Sequence, residues 1–131
     1  MKTATAFAPV LAIANGTIDI DFYKKAFNAV ENFCLRNDDG SIHVAELVID
    51  GAAFHVHEVT PFSHTIPATT GNGTVNIGLF VNDVHTVFNQ ALTAGAIQTM
   101  PVTDFEYGYR QGELIDPFGH KWVIQKRLEV S

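Results

Sequence analysis

The sequence predicts an α+β fold of two tandem βαβββ modules, forming a curved mixed sheet around a central cleft with the helices on the outer face. Three observations predict it. Residues 13–22 have a counterpart in residues 79–88, about 66 positions on, a period too long for a solenoid repeat and suited to a duplicated supersecondary module. Glu46-Leu47 followed by an Asp-Gly turn recurs as Glu113-Leu114 followed by Asp116-Pro117-Phe118-Gly119, at nearly the same offset. An aromatic residue opens the last strand of each half, Phe54 in the first and Trp122 in the second. Two such modules pairing leave a cleft, where ligands usually bind.

In chain order, residues 7–13 read as a strand, with Pro9 tolerated near its start or at an edge. Asn15-Gly16-Thr17 supplies helix-start chemistry for a helix over 18–29, which Asn28 can close because Asn tolerates left-handed geometry. Alternating runs follow at 30–36, 42–49 and 52–59, divided by Asn37-Asp38-Asp39-Gly40 and by Asp50-Gly51. Asp-Gly between two such runs is the strongest short hairpin signal. Residues 61–73 are turn-rich and aperiodic, a linker between module one (5–60) and module two (74–128). Module two opens with a strand beginning at Asn76. Asn82 or Asp83 then caps a helix whose apolar stripe is Val84, Val87, Phe88, Ala91 and Leu92. Gly95 closes that helix, and strands at 97–102, 109–115 and 121–127 complete the module.

A chain of 131 residues with 47% hydrophobic and 17% charged side chains is one folded domain. Its net charge of −6 and the lack of a basic stripe disfavour a nucleic-acid partner. The single cysteine, Cys34, excludes an internal disulfide and points to a reducing, cytoplasmic setting. Lys2 ahead of an apolar run, with Ala12-Ile13-Ala14 beyond, mimics a signal peptide. A lone positive charge, the interrupting Pro9 and the match to a second-half strand argue against one. No stretch approaches the ~18 apolar residues of a membrane span, and in that setting the Asn-Gly-Thr sequons at Asn15 and Asn72 carry no information.

The Asp50-Gly51 turn sets a register in which Ile49 pairs with Ala52, Leu47 with Phe54, Glu46 with His55 and Val44 with His57. Alternation then sends Ala45, Leu47, Ile49, Phe54 and Val56 toward a helix, and Val44, Glu46, Val48, His55 and His57 toward the cleft. In module two, Trp122, Ile124, Ile77, Leu79 and Val81 go to the core, while Val123, Gln125, Asn76, Gly78 and Phe80 face inward. Tyr107, Tyr109 and Arg110 fall where they line the mouth, and Arg110 there suits a carboxylate or phosphate clamp. Simpler readings stand beside these. Antiparallel sheets often keep one wet face, so Glu46 and the two histidines could be plain surface groups. His43 and Glu58 read as surface groups near strand ends, and His64 in the linker, His85 on a polar helix face and His120 just past the Pro-Phe-Gly turn read as surface groups too.

The paired modules, Asp21-Phe22-Tyr23-Lys24, Val81-Asn82-Asp83-Val84, His43-Val44-Ala45-Glu46-Leu47 and Asp116-Pro117-Phe118-Gly119-His120 resemble the vicinal oxygen chelate superfamily, nearest its PhnB-like branch. That superfamily includes glyoxalase I, extradiol dioxygenases, fosfomycin-inactivating transferases and bleomycin-binding resistance proteins. The resemblance implies metal donors at four inward positions, here Ala8, His55, Asn76 and Val123, of which only His55 is a good ligand. A divalent site needs about three protein ligands, so the resemblance implies the fold without the metal set, although Glu46 and His57 could supplement His55 in a displaced site.

Two functions follow as expectations. One is a metal-free, cofactor-free binding protein, dimeric by resemblance, holding a small partly apolar ligand on Glu46, His55, His57, Asn76, Phe80, Tyr107, Tyr109, Arg110 and Gln125. The other is a lyase or isomerase using Glu46 and His55 as an acid–base pair. A third reading is an interaction module with a vestigial cleft.

Overall fold

The computed structural model describes residues 4–60 and 73–129. Most of the expected linker, with His64 and the Asn72 sequon, lies outside the described residues. Module one comprises β1 (Val10–Ile13), α1 (Phe22–Phe27), β2 (Val30–Arg36), β3 (Ile42–Ile49) and β4 (Ala52–Glu58); module two comprises β5 (Ile77–Phe80), α2 (Val84–Ala94), β6 (Ile97–Phe105), β7 (Tyr109–Ile115) and β8 (Lys121–Arg127). The strands form two four-stranded mixed sheets with the same order, β1-β4-β3-β2 and β5-β8-β7-β6. The first strand of each module runs parallel to its last, and the other pairings are antiparallel.

Asp50 and Gly51 both take positive φ, 46° and 86°, the two-residue turn that matches strand twist. The hairpin register is the expected one, from Ile49 opposite Ala52 to Val44 opposite His57. The alternation holds with it: Ala45, Leu47, Phe54 and Val56 are buried, while Glu46 and His55 are half-buried. The Asp83 side chain caps α2 by accepting from the Thr86 amide, and Gly95 closes the helix. Asn28 closes α1 in left-handed geometry, at φ 56°.

Three elements differ from expectation. α1 begins at Phe22 rather than 18, because Asn15-Gly16-Thr17 builds a turn instead: Gly16 sits at φ 94°, and Thr17 bonds back to the Ala14 carbonyl through its amide and hydroxyl. β1 starts only at Val10, leaving Phe7 in solvent. β6 runs on to Phe105 through register shifts on either side of Met100, where Pro101 supplies no ladder donor.

The core joins the two modules through their helix-side faces. α1 packs on α2, and the fully buried Tyr23 ring meets Phe54 of sheet one and Phe118 and Trp122 of module two, with ring centroids 5.1, 5.6 and 5.9 Å away. At the centre of this joint is Asp116, itself buried. Its Oδ2 accepts from the Tyr23 hydroxyl (2.6 Å) and Trp122 Nε1 (2.9 Å), and its Oδ1 accepts from the amides of Phe118 and His120. Burial, and then the Asp116 carboxylate beside it, push the Tyr23 hydroxyl pKa well above its usual value. The Asp-Pro-Phe-Gly segment is therefore more than a turn, since it fastens helix one to sheet two.

Candidate functional site

On module one, the face turned away from the helix carries Glu46 and His55 as direct cross-strand partners, with Glu46 Oε1 3.0 Å from His55 Nε2. The second carboxylate oxygen accepts from Asn32 Nδ2 at 2.9 Å. The Asn32 amide, and next His55, hold the Glu46 carboxyl below its usual range. Phe33 sets its ring edge-on to His55, centroids 6.1 Å apart. Val30, Phe33, Leu35, Val44 and Val48 share this face, so an ionisable pair sits in an apolar surround; Val30 and Leu35 are largely exposed. His57 is also on this face, bonded through Nδ1 to the Glu58 carbonyl and packed against the His43 ring.

His43 and Glu58 depart from the expectation of simple surface groups. Glu58 is buried and accepts from His43 (2.7 Å), Asn37 (3.0 Å) and Asn15 (2.6 Å). With three partners, a buried carboxylate at a strand end becomes a structural clasp. His120 is likewise engaged, 2.8 Å from the Ala12 carbonyl, where it helps join the modules.

On module two the equivalent face is amide and aromatic. Gln125 lies over Gly78, where an added Cβ would come within 2.6 Å of its Nε2, and accepts from Gln111 Nε2 at 2.7 Å. Phe80 and Tyr107 are 53% and 64% exposed. Tyr109 meets both rings, Tyr107 stacks on Phe105, and the Tyr107 hydroxyl donates to Gln111. Asn76 is exposed just ahead of β5. Arg110 is placed differently from the expected clamp. Alternation puts it on the opposite face from Tyr109 and Gln111, and Asp104 holds its guanidinium at 2.6 and 3.0 Å, raising the Arg110 pKa. A cavity of about 930 Å³ opens between the Asp50 hairpin and β5 with the end of β8, lined by Ile49, Leu79, Phe80, Lys126 and Arg127 among others.

The sequence-predicted residues thus form two sets, Glu46 with His55 and His57 on sheet one, and Phe80, Tyr107, Tyr109 and Gln125 on sheet two. Among the described residues the contacts between modules run through α1, α2 and the Asp116 joint rather than between these faces. Sequence reasoning missed Asn32, Phe33 and Arg127. A register shift between Glu31 and Phe33 gathers both Asn32 and Phe33 around Glu46, which strict alternation forbids. The clustering of Arg127 with Phe80 and Tyr109 shows only once β5, β7 and β8 are aligned.

The implied metal positions can be tested on their donor chemistry. The ladder sets Val10 beside His55 and Gly78 beside Val123, one alternation step inward of Ala8 and Asn76. Neither Val10 nor Gly78 offers a ligand, and His55 and Glu46 face each other rather than a third donor. Among the described residues no group of three or more His, Cys, Asp or Glu side chains could hold a metal ion. The residues present do not fit the three-ligand site of the metal enzymes.

Comparison with known proteins places this geometry. The family model for the Glyoxalase/Bleomycin resistance protein/Dioxygenase superfamily matches residues 19–124. An uncharacterized protein of Mycobacterium bovis is 36% identical over 123 residues, which cover 91% of this chain and 81% of that protein. A solved gene product of Arabidopsis thaliana superposes with a TM-score of 0.75 at 26% identity, over 95% of this chain and all of that one. TioX from Micromonospora sp. ML1 gives 0.70 at 25% identity, over 94% and 100%.

Proposed function

Since the chain belongs to the Glyoxalase/Bleomycin resistance protein/Dioxygenase superfamily, we propose that it is a small-molecule binding protein of the PhnB-like branch that works without a metal, in the cytoplasm, as a homodimer. The observation that carries this reading is the donor set: beside His55 and Val123 stand Val10 and Gly78, where a Lewis-acid site needs ligating side chains. What the two faces offer instead is apolar and aromatic surface with a few fixed polar anchors, the usual lining of a ligand pocket. Val30, Phe33 and Leu35 around the Glu46–His55 pair, and Phe80 with Tyr107 on the other module, stay exposed in one chain. Apposing sheet one of one copy to sheet two of another covers both sets and completes a cleft between them. Among the described residues no helix is long and apolar enough to cross a membrane.

The pair's geometry favours one second reading, a lyase or isomerase with Glu46 and His55 as acid and base at 3.0 Å. The lowered Glu46 pKa works against it, because a weaker carboxylate base is further from the near-neutral pKa that proton abstraction favours. One preparation, purified without chelator, tests both readings. Light scattering should give a dimer, elemental analysis no stoichiometric transition metal, and a thermal-shift panel of aromatic antibiotics and metabolites should give hits that Glu46→Gln and His55→Ala both weaken. A stoichiometric metal, or hits indifferent to both substitutions, overturns the proposal.

A further inference from the structure

Resting on that binding reading, we propose that Arg127 is the anion-recognising group of the ligand site and that the ligand is a planar aromatic anion. The chain carries 8 lysines and arginines against 14 acids, so an unpaired cation needs a reason. Most of the others are engaged: Arg110 by Asp104, Lys24 by Asp21 and Glu31, Lys121 near Glu113, and Arg36 by the carbonyls of Ile18 and Gly40. Lys126, on the same cavity as Arg127, is held by the Asn82 carbonyl, while Lys25 is exposed on α1 away from that cavity. Among the described residues Arg127 forms no ion pair. Two rings fix it instead, its guanidinium carbon lying 5.3 Å from the Phe80 centroid and 5.9 Å from that of Tyr109, while Nε donates to the Tyr109 hydroxyl at 2.9 Å. Nε is the only guanidinium nitrogen so used among the described residues, which leaves the two terminal nitrogens for a bidentate acceptor.

Arg127 and Phe80 both line the cavity of about 930 Å³, with Ile49 and Leu79 as apolar wall, a volume suited to a ligand of metabolite or drug size. Asp50 and Glu129 share its lining, and among the described residues neither forms an ion pair with Arg127. A cation held over aromatic rings loses little freedom on meeting its partner. The exposed Phe80 ring beside it offers a stacking surface, so one ligand with a flat ring and an anionic substituent satisfies both groups.

The test uses two fluorescent probes that differ by one charge, 8-anilinonaphthalene-1-sulfonate and the uncharged N-phenyl-1-naphthylamine, titrated into the whole protein. The wild type should bind the sulfonate about tenfold more tightly. Arg127→Gln should erase that preference by weakening the sulfonate about tenfold more than the neutral probe. Arg110→Gln removes the same net charge and should preserve the preference, and Phe80→Ala should weaken both probes. Circular dichroism confirms that each variant is folded. Equal affinities in the wild type, or a preference that survives Arg127→Gln, overturns the anion assignment and leaves the binding reading standing. If neither probe binds, the aromatic-anion assignment falls, and the binding reading is decided by the thermal-shift panel alone.

Discussion

Glu46 and Glu113 hold the same place in the two modules, on the third strand and on the face away from the helix, yet their partners differ. Glu46 stands opposite His55 with Val10 beyond; Glu113 stands opposite Val123 with Gly78 beyond, its nearest cation Lys121 at 3.9 Å. One step along, Val44 opposite His57 becomes Gln111 opposite Gln125. The buried sides changed far less: Leu47 opposite Phe54 becomes Leu114 opposite Trp122. Packing constrains the buried side, since a core tolerates little change of volume. The open faces carry no such constraint, and there one module acquired an ionisable pair and the other an aromatic and amide surface. A binding site made from both is asymmetric by construction.

The sharpest way to break this comparison is at the joint that makes the modules one body. Asp116→Ala would leave the Tyr23 hydroxyl, Trp122 Nε1 and two backbone amides without their acceptor. At about 1–3 kcal/mol for each donor left unsatisfied, with two of the four only part-buried, the loss should be roughly 4 kcal/mol or more in urea denaturation. Tyr23→Phe removes one donor and spares the rest, so it should cost about 1.5–3 kcal/mol, the range for a hydrogen bond to a charged group. If Asp116→Ala unfolds no more easily than Tyr23→Phe, the joint is not the network described.

A smaller effect separates the modules within their own cores. Ala45 faces Val56 in module one, and the equivalent partner of Ile124 in module two is Gly112. A Cβ at Gly112 would lie 2.9 Å from Phe88 Cε2 and 2.9 Å from Val102 Cγ2, so Phe88 fills the space that a methyl group occupies in module one. Gly112→Ala should lower stability by about 1–3 kcal/mol through overpacking. An unchanged melting midpoint would show that the Phe88 ring shifts freely.

The sequence was most legible where local chemistry settled the backbone. Asp50-Gly51 imposed a two-residue turn, and from it followed the register, the Glu46–His55 pairing and the two faces of the hairpin. The stripe from Val84 to Leu92, with Asp83 and Gly95 at its ends, similarly defined α2. What was not legible depends on distant partners. Asn15-Gly16-Thr17 has equal claim to a turn or a helix start, and the turn prevails where Asn15 also reaches Glu58, 43 residues on. Asp116 meets Tyr23 across 93 residues. Arg110 was misplaced because its site was inferred from position near the cleft mouth, whereas alternation along β7 turns it to the other side.

Module one anchors its buried carboxylate, Glu58, with three side chains, and pH can read that anchor. Asn37, then His43 and Asn15, hold Glu58 below the ordinary carboxylate value of 4.5. A carboxylate whose folded pKa is depressed adds stability that is complete above its unfolded pKa and is lost as pH falls toward the folded one. The stability of the wild type should therefore hold near neutrality and decline from about pH 4.5 downward. Glu58→Gln should make that decline shallower without removing it, because Glu46, Asp83 and Asp104 are also depressed, by Asn32, by the Thr86 amide and by Arg110 first in each case. Urea midpoints for both proteins between pH 3 and 6 measure this directly. Parallel acid limbs would mean that the Glu58 clasp is no tighter folded than unfolded, and that its contacts with Asn37, His43 and Asn15 add nothing to the acid stability of module one.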